Sequence, residues 1–226
     1  MFKLTRPLQR SAAATVLPLF ACLAFSAPAQ AMTLLDFEPP SLTGLYFAGE
    51  SFEQAGYQMT AVYDAGTVDV AGGLGAAAPS GNASQFYTQL NEGALTLTRT
   101  DGLLFSLHSF DAAFVPLDPP AAGQTVIAAV ATYADNSSNG IAWLFDRSFA
   151  SFSITANMAG VFTHMKSLDF FTCTFDGSNV CASPLQNNGQ FAIDNISVTA
   201  VPEPSAAALL GLGLAALAWR RRALNR

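Results

Sequence analysis

Charge is scarce in this sequence. Only 12% of its 226 residues are Asp, Glu, Lys or Arg, about half of the ~25% usual in soluble domains. Lysine occurs twice, at Lys3 and Lys166. No basic patch is available for a phosphate backbone, which argues against a nucleic-acid binder. Disorder is excluded from the other side: 51% of the residues are hydrophobic, whereas a disordered chain needs low hydrophobicity and high charge. Histidine is confined to His108 and His164, and cysteine to three positions. There is no G-x-S-x-G, no H-E-x-x-H, and no Walker or dinucleotide motif. No long amphipathic helix pattern appears. What is abundant is phenylalanine, at 18 residues, beside many Thr and Val. That composition leans toward β structure.

The few basic residues gather at the two ends, which hold seven of the ten. Residues 1–31 read as a secretory signal peptide. Lys3, Arg6 and Arg10 form its positive region, residues 12–25 its apolar region, and Ala29-Gln30-Ala31 its cleavage site. Signal peptidase then leaves Met32 as the first mature residue. A competing reading is a lipoprotein signal ending at Cys22, against which bulky Phe20 stands where a small residue is usual. Residues 201–226 are the second address. Pro202, Glu203 and Pro204 precede fifteen uncharged residues, 205–219, and then Arg220, Arg221 and Arg222. At 1.5 Å per residue this run gives a helix of ~22 Å, a short transmembrane span against ~30 Å of bilayer hydrocarbon. The arginines stay cytoplasmic by the positive-inside rule, which places residues 32–200 outside.

Pro-Glu-Pro, a short apolar helix and a terminal Arg cluster, in that order, resemble the PEP-CTERM sorting signal. The resemblance implies a Gram-negative host and recognition of the tail by an exosortase, a membrane cysteine protease-transpeptidase. The protein would pass through an inner-membrane intermediate to the outer envelope surface or extracellular matrix. Pro202 and Pro204 hold the segment extended, which suits presentation to a protease.

Residues 32–200 form the ectodomain. It holds three basic residues, Arg99, Arg147 and Lys166, against fifteen acidic ones, a formal charge of −12. Such a domain is a poor partner for DNA or anionic lipid. It suits divalent cations or neutral sugars, or simply solubility. Once Cys22 leaves with the signal, Cys173 and Cys181 remain, and an even count in an exported protein points to one disulfide. The loop between them contains Asp176-Gly177-Ser178-Asn179, which is turn chemistry.

Ten strands are expected in the ectodomain: 33–38, 56–63, 67–70, 94–100, 103–110, 125–133, 140–145, 151–155, 167–175 and 190–199. Leu95, Leu97 and Arg99 alternate with Thr96, Thr98 and Thr100, a period of two. Asp101-Gly102 between two of these strands reads as a hairpin. Residues 72–81 read as a flexible Gly/Ala loop. Ten short strands in one domain predict an all-β, antiparallel, jelly-roll-like β-sandwich.

Three further segments resemble one pattern: Leu35-Asp36-Phe37-Glu38, the central residues 105–111, and the closing Gln190-Phe191-Ala192-Ile193-Asp194-Asn195-Ile196-Ser197-Val198. The pattern is similar to PEP-CTERM ectodomains with a terminal QFxxD motif and to jelly-roll carbohydrate-binding modules. This resemblance implies that the first and last strands are sheet neighbours. It also implies a structural calcium between them, with Glu38 and Asp194 in the matching places and Asp36 as a further candidate. Calcium needs six to eight oxygens, more than two carboxylates supply. Parity bears on Asp194, which shares a strand face with Ile196 and Val198 while Phe191, Ile193 and Asn195 point the other way. Either both faces are covered or a bulge re-aims Asp194. The alternative role for Asp194 is to cap a turn or accept backbone N–H groups.

Three functional classes remain open. An enzyme needs an activated group, and neither His108 nor His164 has a partner visible in the sequence. A binding module for exopolysaccharide would draw on Trp143, Tyr46, Tyr57, Tyr63, Tyr87 and Tyr133. Trp143 lies in an apolar run and reads as core, the phenylalanines likewise, and Tyr87 reads as the better surface candidate. A structural matrix component needs only a stable fold, export and the tail. The favoured reading is this third one, without catalysis, and carbohydrate binding is the alternative. An exposed aromatic row would favour binding, and a smooth polar face the structural role.

Overall fold

Alternation in sequence becomes alternation in burial. Tyr57, Met59 and Ala61 are buried, while Gln58, Thr60 and Val62 between them are half-buried. The computed structural model describes residues 31–115, 124–175, 181–182 and 189–201, together with positions 211, 213, 214, 217, 220 and 221 of the C-terminal segment. The signal region and the Pro202–Pro204 motif lie outside the described residues. The C-terminal positions that are described are helical. Among the described residues no helix is long and apolar enough to cross a membrane.

The ectodomain forms one compact unit, Gln30–Val201. Among its described residues there are fourteen strands: β1 (Met32–Leu35), β2 (Gly44–Tyr46), β3 (Ser51–Gln54), β4 (Tyr57–Val62), β5 (Gly66–Val70), β6 (Gln85–Gln89), β7 (Ala94–Arg99), β8 (Phe105–Phe114), β9 (Gln124–Tyr133), β10 (Ser138–Leu144), β11 (Ala150–Ser153), β12 (Met165–Phe175), β13 (Cys181–Ala182) and β14 (Phe191–Ala200). All ten expected strands are present. The sequence reading missed β2, β3, β6 and β13, which are short.

The hydrogen-bonded path runs β2-β5-β6-β14-β8-β12-β7-β4-β3, but β8 and β12 meet through a single pair, Phe105 opposite Met165. Dividing the path there gives two antiparallel sheets. The first holds β2, β5, β6, β14, β8 and β11, with β1 beside the end of β14. The second holds β3, β4, β7, β12, β9 and β10, with β13 at the end of β12. The chain crosses repeatedly between the sheets, which is the jelly-roll style of sandwich. The first and last strands are neighbours: Met32 faces Thr199 and Leu35 faces Ile196.

The Asp101-Gly102 turn is not a hairpin. Strand β7 pairs with β4 and β12, whereas β8 pairs with β14, β11 and β12, so the turn carries the chain from one sheet to the other. Only Gly102 has positive φ, while the two-residue hairpin turn expected of Asp-Gly needs it at both central positions. The Gly/Ala segment at 72–81 holds two short turns. It forms a helical turn, Ala71–Leu74, and a 3-10 turn, Gly75–Ala77, from which Leu74 and Ala77 pack on Phe86, Val115 and Ala192.

Inward side chains of both sheets build one core. Phe110 lies at its centre, with ring centroids 5.0 Å from Phe170, 5.2 Å from Phe152 and 5.4 Å from Trp143. Such contacts add to the stabilisation from area burial. Removing the Phe110 ring leaves a cavity between the sheets. Phe110→Ala should therefore lower the unfolding free energy by ~3–5 kcal/mol, read by urea titration, with the m-value unchanged.

Candidate functional site

The parity conflict around Asp194 is resolved by backbone geometry. Opposite β8, the register of β14 shifts between Asp194 and Ser197 and returns between Ser197 and Val198, and Asn195 is left-handed at φ 50°. Asn tolerates that conformation better than most residues. The shift lets Phe191 and Ile193 before it, and Ile196 and Val198 after it, all enter the same core. Ala192 packs on the other face with Phe86 and Val115. Both anticipated solutions, a bulge and two covered faces, hold together.

Asp194 is fully buried. Its Oδ2 accepts hydrogen bonds from Asn82 Nδ2 (2.6 Å), Ser84 Oγ (3.1 Å) and Asn195 Nδ2 (3.4 Å), and its Oδ1 from the Asn195 backbone N–H (2.7 Å). Asn195 Nδ2 also donates to Asp111 Oδ2 at 2.9 Å, and Ser151 Oγ donates to Asp111 Oδ1. The 82–84 segment is held in place by its own turn, in which Asn82 Oδ1 accepts from the Ser84 backbone N–H at 2.8 Å. Nearby, Ser80 exchanges backbone bonds with Arg147 and Phe149. Burial pushes the Asp194 carboxyl up to about 6; the hydrogen bonds from Asn82, Asn195 and Ser84 pull it back, and Asp111 raises it.

Glu38 is exposed, and its Oε1 accepts from the Gln85 backbone N–H at 3.2 Å. Asp36 Oδ1 accepts from Gln54 Nε2 at 2.6 Å. Thus Glu38 and Asp194 are tied to adjacent residues, Gln85 and Ser84, but each carboxylate is met by protein donors. Protein N–H and O–H groups thus take the place of water around these carboxylates. Among the described residues no group of three His, Cys, Asp or Glu side chains is arranged to hold a metal. The surroundings of Asp194 fit a hydrogen-bonded structural carboxylate.

The histidines separate in the same way. His108 is exposed in β8, with Nε2 2.8 Å from Thr199 Oγ1. Among the described residues no hydrogen bond joins a carboxylate to its other ring nitrogen. His164 is exposed at φ 57°.

The aromatic candidates divide by burial. Tyr87, the expected surface residue, is buried, and its hydroxyl bonds Gln89 Oε1 at 2.5 Å. Alternation in β6 turns it inward opposite Val68. Tyr57 is buried, while Tyr46, Tyr133 and Trp143 pack against the core. Tyr63 alone of the six is largely open, 85% exposed at φ 69°. Phe47, 60% exposed, departs from the core rule for phenylalanine. The Gly49 N–H donates to Ala61 O at 2.7 Å, which ties the Phe47 loop to the end of β4, just before Tyr63. One register row across the second sheet reads Glu53, Gln58, Thr98, Ser167, Thr132 and Ser138, with no aromatic.

The raised Asp194 value gives a pH signature with a definite sign. Folding favours the protonated form. The contribution is therefore complete below the ordinary value of 3.8 and is lost as pH rises through about 6. Between pH 4 and pH 7 it amounts to at most about 3 kcal/mol. Unfolding of Asp194→Asn across this range should lack that decline. A slope equal to wild type would remove Asp194 as the buried proton site.

Comparison with solved structures adds several distant likenesses. The chain is similar to the CBM22-1 xylan-binding domain from Paenibacillus barcinonensis Xyn10C, with TM-score 0.38 and 11% identity over 79% of this chain and 99% of that one. It is similar to TmCBM61 in complex with β-1,4-galactotriose, with TM-score 0.33 and 8% identity over 66% and 91%. It is also similar to the enzymatically active domain of bacteriophage CBA120 tailspike protein 4, with TM-score 0.30 and 13% identity over 74% and 20%. No curated protein matches it in sequence. Residues 200–222 match the PEP-CTERM protein-sorting motif, and the chain therefore carries that motif at its C-terminal end.

Proposed function

We propose that this is an exported, non-catalytic surface or matrix protein of a Gram-negative bacterium, sorted through its C-terminal tail by an exosortase. The observation that carries this reading is the tail itself. Pro202-Glu203-Pro204, an uncharged run and an Arg cluster follow in order, and residues 200–222 match the sorting motif. In this reading signal peptidase cuts after Ala31, the tail holds an inner-membrane intermediate, and processing near Pro202–Pro204 releases the ectodomain to the envelope. Cys173 and Cys181 form its disulfide. The facing of Phe175 and Cys181 across β12 and β13, which folds the two segments together, supports that pairing.

Intact mass of protein recovered from the native host tests all three steps together. The expected product begins at Met32, lacks Arg220–Arg222 only when the exosortase is active, and is lighter by two hydrogens than its reduced form. Retention of the Arg tail in an exosortase-positive host would overturn the sorting reading.

Carbohydrate binding is the second reading, favoured by one observation. Tyr63 and Phe47 are open aromatic rings on loops of one end of the sandwich, and Tyr63 is held in a backbone conformation rare for a bulky residue. Open aromatic faces suit the apolar faces of neutral sugars, and the acidic domain disfavours anionic polymers. Isothermal titration with neutral oligosaccharides from the host exopolysaccharide should show binding at least tenfold weaker in Tyr63→Ala and Phe47→Ala. Absence of wild-type binding leaves the structural role alone.

A further inference from the structure

A strand at the edge of a sheet leaves a row of backbone groups open to any further strand, and natural domains keep such edges short or charged. Most edges of this sandwich follow that rule. Strand β13 has two residues, β2 three, and β1, β3 and β11 four each. Exposed Glu53 lies within β3, with Glu50 just before it. The approach to β11 is bridged by Ser80 and Ser148. Strand β10 is different. It is a seven-residue edge of the second sheet, paired with β9 alone. Residues 136–145 contain no charge and no proline.

This edge is held firmly from behind and open in front. The register of β10 on β9 is unbroken, from Ser138 opposite Thr132 to Leu144 opposite Val126. Gly140 lies so close to β9 that a Cβ there would meet Val130 Cγ2 at 2.7 Å and Ala129 O at 2.8 Å. On the inner face Trp143 packs on Phe110, Phe152 and Phe162. On the outer face Ser138, Gly140, Ala142 and Leu144 are exposed. In an antiparallel ladder alternate residues turn both backbone groups away from the partner strand. Among the described residues, the hydrogen bonds of β10 are those to β9 and one from the Gly140 N–H to Asn139 Oδ1 at 2.9 Å. The outward backbone groups meet no described strand of this chain.

We infer that β10 is a pairing edge through which two copies of this chain join, antiparallel, into one continuous second sheet. The register that pairs all seven residues places the two-fold axis at Ile141. It sets Ser138 opposite Leu144, Asn139 opposite Trp143 and Gly140 opposite Ala142 of the second copy. Inner residues then meet inner residues, and outer meet outer. Continued past the strand ends, the same register carries Asp135 of each copy toward Arg147 of the other, and Asp146 toward Asn136. Arg147 is also engaged within its own chain. No acid is set opposite an acid, and this match argues for a second copy over an unrelated strand. The ectodomain's formal charge of −12 makes two copies repel over most of their surfaces, so they meet where charge is missing. Main-chain hydrogen bonds supply the affinity, and an edge already ordered loses little freedom on pairing. The inference goes beyond export and sorting and rests on neither. It gives a surface or matrix protein its unit of assembly.

The test uses the full chain made in its native host and extracted in mild detergent. Light scattering follows its mass across a dilution series. A photoreactive residue in place of Leu144, in a mixture of isotopically light and heavy copies, reports the neighbour. The expected result is a reversible dimer, with light-to-heavy cross-links on the peptide around Ser138. Ala142→Lys and Ala142→Glu each place a charge at an exposed position of the edge. Both should raise the dissociation constant about tenfold or more, with the circular dichroism of the fold unchanged. A monomer throughout the series would overturn the proposal. So would a dimer that survives both substitutions, or cross-links that fall outside β10, since either would assign association to another surface or to the tail. Cross-links to a different host protein would give the edge to a foreign strand and overturn it as well. An Arg tail left uncut would bear on the sorting reading alone.

Discussion

One local break in strand alternation governs the architecture. Strand β14 borders β6, β1 and β8, so its side chains set the alignment of the first sheet. A strictly alternating β14 would send either Phe191 and Ile193 or Ile196 and Val198 out of the core. The left-handed Asn195 removes the choice. It also leaves Asp194 on the covered outer face, where Asn82, Ser84 and Asn195 replace water around its carboxylate. A buried ionisable group is tolerated only with such partners. The helical turn at Ala71–Leu74, the 82–84 turn and the Ser80–Phe149 contact cover that face.

The domain has two unlike ends. At one, β1 and β14 bring the beginning and end of the ectodomain side by side, and the sorting motif starts as the sheet stops. At the other, the Phe47 and Tyr63 loops carry open rings among acidic residues. A polar row that begins with Glu53 and Gln58 crosses the second sheet.

Periodicity made the longer strands legible, because alternation at 94–99 and 57–62 is a local property. The short strands β2, β3 and β6 were not legible: Gly44–Tyr46 is too short to show a period, and Gln85–Gln89 is polar yet almost wholly buried. Pairing was legible only in part. Asp101-Gly102 has hairpin residues, yet its geometry sends the strands to different sheets, an outcome set by neighbours distant in sequence. The importance of Asp194 was visible in its broken parity, but Asn82 and Ser84 were not, since more than one hundred residues separate them from it. Tyr63 was one aromatic among six, and only the backbone reveals which of them faces outward. The tail was readable because its order is linear and needs no fold.

Strand β14 is the last of the ectodomain in sequence and lies inside its first sheet. Strands β1, β6 and β8 each make much of their pairing with it. A chain exported from its N-terminus therefore cannot complete this sandwich while residues 191–200 are still inside the translocation channel. The sorting motif follows at once, so closure of the fold and arrival of the tail at the membrane become nearly the same moment. The order of strands thus works as a clock, in which assembly of the domain finishes only when the segment that decides its destination has emerged.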